Sequence, residues 1–116
     1  MPGSVRVINA NRGMAPDDSG PESGEVVIAV DRTHAVLGNR HILHNRRDAL
    51  ERERVIAAYA ADLQADIAQR GPMFRAIEGI ASRVAVGERI CLQCWCRPLP
   101  CHADLIEREV LKQLDK

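Results

Sequence analysis

Eleven consecutive residues hold most of the reactive side chains of this chain: Cys94-Trp95-Cys96-Arg97-Pro98-Leu99-Pro100-Cys101-His102-Ala103-Asp104. Three readings of these thiols and their imidazole compete. The first is a metal-free site that binds or transforms an anionic small molecule, with Cys101 as a thiolate and His102 beside it as a proton carrier. The second is a metal site, because Cys94, Cys96, Cys101 and His102 make four soft ligands, the number and kind that zinc takes. Against it, C-x-C-x4-C-H is not a common zinc spacing, and neighbouring ligands at Cys101 and His102 strain a tetrahedron. The third needs no chemistry: Cys91 and Cys94 are small buried hydrophobes of a core strand, which is what free cysteine usually is. A disulfide between Cys94 and Cys96 is disfavoured, since extended backbone sets their Cα atoms about 6.5–7 Å apart, at the outer edge of what that bond tolerates. A turn leaves a Cys96–Cys101 pair open.

The flanking pattern places this cluster at a strand-to-helix crossing. Arg89–Trp95 reads as a strand, and a helix is expected from about Cys101 to Leu114 with Leu105 or Ile106, then Val110 and Leu114, as its buried stripe. In an open parallel sheet, ligands bind beyond the carboxyl ends of the strands. The first turn of a helix also offers free N–H groups and a partial positive charge, which suits an anion and lowers a thiol's pKa. Cys101 and His102 are therefore the favoured chemical pair, with Cys96 as a further thiol. Asp104 falls near the third helical position, where capping explains it as well as ligand contact does. Trp95 reads more simply as core than as a cofactor platform.

The remaining elements make a small α/β sandwich. Val5–Asn9 is a short β-branched strand, and Val26–Val30 is continuously apolar, as expected of a strand buried on both faces. Between them, the Pro-, Gly- and Ser-rich stretch near 13–24 reads as a mobile loop. A long helix begins near Asn45, capped by Asn45 or Asp48, with Ile56, Ala60, Leu63 and Ile67 as its stripe and Tyr59 flanking it. Gly71-Pro72 ends that helix and starts another, which buries Phe74, Ile77, Ile80, Ala81 and Val84 and stops at Gly87. The order β-β-α-α-β-α predicts a sheet that is at least partly parallel in one domain spanning 1–116, with the thiol-rich strand-turn-helix at 89–115.

Composition narrows the function classes. Sixteen basic side chains balance sixteen acidic ones, so no net charge draws the molecule to nucleic acid or anionic membrane. The three aromatic residues, Tyr59, Phe74 and Trp95, are too few for a stacking platform for bases. No run approaches the roughly 20 apolar residues of a membrane span, and the N-terminus lacks a signal-peptide layout. A cytoplasmic location with reduced thiols is expected. The four cysteines all lie between Cys91 and Cys101, a clustering that favours a site over disulfide staples.

Between the second strand and the long helix lie Arg32, Gly38, Asn39, Arg40, His41 and His44, which the topology can bring to the edge that carries the thiol turn. Gly38-Asn39 is a turn dipeptide, and each histidine taken alone reads as a solvated loop residue. Arg46, Arg47, Arg52 and Arg54 interleave with Asp48, Glu51 and Glu53, the pattern of a salt-bridged solvated face.

Together these two stretches resemble domain-of-unknown-function family 4326, short bacterial and phage α/β proteins ending in a Cys-Trp-Cys-x-Pro-x-x-Cys-His-x-Asp signature. It is matched at Cys94, Trp95, Cys96, Pro98, Cys101, His102 and Asp104. Upstream, Arg32, Leu37-Gly38-Asn39, Arg47-Asp48-Ala49 and Tyr59 fit the family's Arg, Gly-Asn turn, Arg-rich helix start and Tyr-bearing helix. The resemblance covers about residues 28 to 112. Two departures stand out: Arg40 replaces the family's Pro, with His41 where an aromatic usually follows, and Ala103 replaces the usual Gly. The family carries no established activity, so the resemblance marks residues without assigning their task, and it implies a phage or prophage origin.

The expectation is a domain that binds, and processes if it is an enzyme, a phosphate-bearing small molecule such as a nucleotide. Arg32, Asn39, Cys94 and Asp104 would hold the ligand beside Cys101, His102 and Cys96. The alternative is a non-enzymatic zinc-binding or protein-interaction domain, with a host protein or a second copy as its partner. Direct nucleic-acid binding and membrane association are not expected.

Overall fold

Ile90-Cys91-Leu92 forms the centre of the sheet. These residues belong to β3 (Arg89–Cys94), which lies between β1 (Ser4–Asn9) and β2 (Glu25–Ala29) and runs parallel to both. A central parallel strand is covered on both faces, and all three residues are fully buried. The computed structural model describes residues 3–9, 24–30, 34–38, 48–94 and 102–115. Of the loop expected near 13–24, only Gly24 is among them. The register pairs Asn9 with Cys94 and Ala29 with Gln93, so the three strands finish nearly level.

The expected parallel α/β architecture is present, with one correction in the sheet. The run Val26–Val30 was expected to be buried on both faces. β2 is instead an edge strand, and Val27 is 39% exposed. An apolar run does not encode which strands flank it.

Of the three helices, the second and third pack against the sheet, and the first packs against both of these helices. α1 (Ala49–Gln69) is capped by Asp48, whose carboxylate accepts the N–H groups of Leu50 and Glu51 at 3.0 and 3.1 Å. Its buried residues are Arg52, Tyr59 and Leu63. The stripe is thus centred on Tyr59, not flanked by it, and Arg52 is not on the solvated face to which its charge pattern assigned it.

At the end of α1, Arg70 adopts left-handed φ (53°) and Gly71 leads into α2 (Pro72–Ala85). Gly71 has no side chain to cap α2, so Asp66 of the preceding helix does so, accepting from Met73 N–H at 3.2 Å and Phe74 N–H at 2.8 Å. A Cβ on Gly71 would stand 2.6 Å from the Asp66 Oδ2 and displace that cap. At the other end, Gly87 has φ 103° and donates to the Val84 carbonyl, while Glu88 donates to Arg83, both at 3.0 Å. This is the Schellman closure that favours glycine. It turns the chain directly into β3.

α3 (His102–Leu114) buries His102, Ala103, Ile106 and Val110. The core joins these apolar residues to Leu63, Ile77, Val84, Leu92 and Cys94. Among the described residues, no helix is long and apolar enough to cross a membrane.

Candidate functional site

The carboxyl edge of the sheet is organised around one backbone group. Val30 follows the last residue of β2 and is fully buried, so both its N–H and its carbonyl need partners. The N–H extends the ladder to the Gln93 carbonyl at 2.9 Å. The carbonyl meets the His102 Nε2 at 2.5 Å. A carbonyl only accepts, so Nε2 carries the proton and, in the neutral ring, Nδ1 carries the lone pair.

Tyr59 holds the other side of this imidazole. The two rings meet edge-on at 60° with centroids 5.0 Å apart, a favourable aromatic geometry. The Tyr59 hydroxyl donates to the Leu37 carbonyl at 2.8 Å. Leu37 sits in a turn at 34–38 that His34 organises: its Nδ1 accepts the N–H groups of Val36 and Leu37 at 3.1 and 2.9 Å, and its carbonyl accepts from Gly38 at 3.1 Å. One continuous set of contacts therefore ties the end of β2, the 34–38 turn, the middle of α1 and the first residue of α3.

Of the residues that the sequence singles out, His102 is 7% exposed at the start of α3. Cys94 ends β3 with its side chain in the core, and Asp104 is half-buried in the first turn of α3. Arg32, Asn39, Cys96 and Cys101 lie outside the described residues, as do Trp95, Arg40, His41 and His44. Sequence reasoning missed Arg52, which is 6% exposed. The signal was present in its phase: Arg52 precedes Ile56 by four residues and Tyr59 by seven, which sets all three on one side of a helix.

The sequence matches a domain of unknown function (DUF4326) over residues 17–112. The chain belongs to this family. No curated protein and no solved structure matches it. The family match takes in β2, β3, α1, α2 and nearly all of α3, and so every element of the arrangement around His102. β1 lies outside it.

Cys91 stands apart from that arrangement. Its partners in register are Arg6 of β1 and Val27 of β2, on the opposite sheet face from the helices. Arg6 and Glu25 span the central strand there through a two-pronged ion pair, Nε to Oε2 at 3.0 Å and Nη2 to Oε1 at 2.8 Å. Burial, reinforced by hydrogen bonding to Glu25, pushes the Cys91 thiol up to about 11. Only a thiolate is a good nucleophile, so iodoacetamide at pH 8 is expected to leave Cys91 unmodified in the native protein and to label it in urea, as read by peptide mapping. The same shift fixes a sign. The unfolded thiol titrates near 9.0 and the folded one near 11, so stability is full below the first value and falls as pH climbs towards the second. Cys91→Ala removes that part of the fall.

Proposed function

We propose that this protein binds a phosphate-bearing small molecule such as a nucleotide at the carboxyl edge of its sheet. In this proposal Cys101 and His102 form the chemical pair, Cys96 is a further thiol beside them, and Arg32, Asn39, Cys94 and Asp104 hold the ligand. The observation that supports it is the setting of His102: buried, first in α3, level with the strand ends, and fixed in one tautomer by the Val30 carbonyl. A fixed tautomer presents the same nitrogen, Nδ1, to a proton or a ligand in every molecule. The test is a thermal-stability screen with nucleotides and related phosphates on wild type and Cys101→Ala. A true ligand stabilises by mass action, about 2.7 kcal/mol at a hundredfold excess over Kd. Equal shifts in both proteins remove the thiol from the site, and no shift with any phosphate overturns the proposal.

One observation favours a second reading, a non-enzymatic domain whose Cys94, Cys96, Cys101 and His102 hold zinc and which acts through a host protein or a second copy. A histidine that ligates a metal through one nitrogen almost always donates its other N–H to a carbonyl or carboxylate, and His102 donates to Val30 in this way. Metal analysis of protein purified without chelator decides it: about one zinc per chain, lost together with folding in Cys96→Ser, is the outcome this reading requires.

A further inference from the structure

A cleft of about 480 Å³ opens between the 34–38 turn, α1 and the start of α2, a volume within the range of small-molecule sites. The turn contributes Val36 and Gly38, α1 contributes Tyr59, Asp62 and Asp66, and α2 contributes Met73. Steps of three and four residues set the three α1 side chains on one side of the helix. The cleft adjoins the site proposed above at two points. Tyr59 lines it and also meets the His102 ring, and Gly38 directly precedes Asn39.

The walls are set before a ligand arrives, which lowers the cost of binding. The Tyr59 hydroxyl and the His34 ring hold the turn. Asp66 is held by the N–H groups of Met73 and Phe74, one on each carboxylate oxygen, and Asp62 also interacts within the protein. Neither carboxylate has to be free to meet a ligand, because its two oxygens offer about four acceptor sites. Among the described residues that line the cleft, two are carboxylates and none is basic. Such a lining repels a phosphate and accepts N–H or O–H donors. Val36 and Met73 add apolar surface for a ring.

We infer that this cleft holds the uncharged nucleoside part of the ligand, with Asp62 accepting from it, while the phosphate lies at the carboxyl edge beside His102. Guanine is the base whose edge suits it, because its ring N–H and its amino group stand side by side as donors to a group that only accepts. The inference rests on the nucleotide-binding function proposed above and divides that ligand between two places.

Calorimetry with inorganic phosphate, guanosine and guanosine monophosphate, on wild type and Asp62→Asn, tests it. Asp62 is exposed, so the variant is expected to fold. The monophosphate is expected to bind wild type about tenfold or more tighter than inorganic phosphate does. Asp62→Asn is expected to weaken both guanine compounds by about tenfold, the usual scale for a hydrogen bond to a charged group, and to leave inorganic phosphate unchanged. The Met73 methyl resonance of wild type gives a readout free of any variant: it is expected to shift saturably with guanosine and not with inorganic phosphate. A monophosphate that binds within twofold of inorganic phosphate, or that binds Asp62→Asn as it does wild type, overturns the cleft assignment while the phosphate reading stands. A Met73 shift produced by spermidine and not by guanosine overturns it in favour of an organic cation. Guanosine and its monophosphate binding equally, with inorganic phosphate silent, supports the cleft and overturns the phosphate reading. A wild type that responds to none of the compounds overturns both.

Discussion

Tyr59→Ala is expected to cost about 3–5 kcal/mol of folding stability, the usual range for truncating a buried aromatic ring. Against a total of roughly 5–15 kcal/mol for a domain, that is a large share. Tyr59 is 2% exposed, and its loss removes three things together: the apolar ring, the edge-on contact with His102, and the hydroxyl donor to Leu37. Tyr59→Phe separates them, because it keeps both ring effects and deletes the donor alone. Leu37 is fully buried, so its carbonyl then loses a partner that water does not readily replace, and about 1–2 kcal/mol is expected. Urea unfolding followed by circular dichroism reads both variants, with the midpoint falling and the slope unchanged. A Tyr59→Phe protein as stable as wild type would show that the hydroxyl does not anchor the 34–38 turn. A phenylalanine variant as damaged as the alanine one would show that the ring contributes little.

The elements that punctuation and period define were legible in the sequence, and those that depend on neighbours were not. Gly71-Pro72 and Gly87 bound α2 as expected, because a helix-starting proline and a positive-φ glycine act locally. β3 was legible as an apolar run. Its central place was not, since strand order is a tertiary property, and for the same reason β2 was misjudged as doubly buried. The cap of α1 was narrowed to Asn45 or Asp48, two residues with equal local chemistry, and the observed bonds to Leu50 and Glu51 choose Asp48. Asp66 capping α2 from seven and eight residues away has no local signature at all. Charge misled at Arg52. Among so many alternating charges it looked solvated, and only its phase against Tyr59 said otherwise. His102 was legible as a reactive residue of the thiol cluster, but its bond to Val30 joins positions 72 apart in sequence, and no spacing rule reaches that far.

His102→Ala is expected to cost about 2–4 kcal/mol. Part of this is the cavity left by a buried ring. The rest, about 1–3 kcal/mol, is the Val30 carbonyl left buried without a donor. The choice of replacement tests that division. The glutamine amide nitrogen can occupy the place of Nε2, whereas the shorter asparagine mimics Nδ1, so His102→Gln is expected to recover a good part of the loss and His102→Asn little of it. A glutamine variant no more stable than alanine would mean that the 2.5 Å bond to Val30 is not what holds this side chain. Because Tyr59 and His102 share a face, the double alanine variant is expected to lose less than the sum of the singles, by about 0.5–3 kcal/mol. The same glutamine also separates structure from chemistry. It keeps the donor to Val30 but has no ring nitrogen with a lone pair to offer a proton or a metal. A His102→Gln protein that folds close to wild type yet no longer gains stability from a phosphate ligand, or no longer retains zinc, assigns that second nitrogen the working role. One that keeps the response makes His102 a strut for the end of β2.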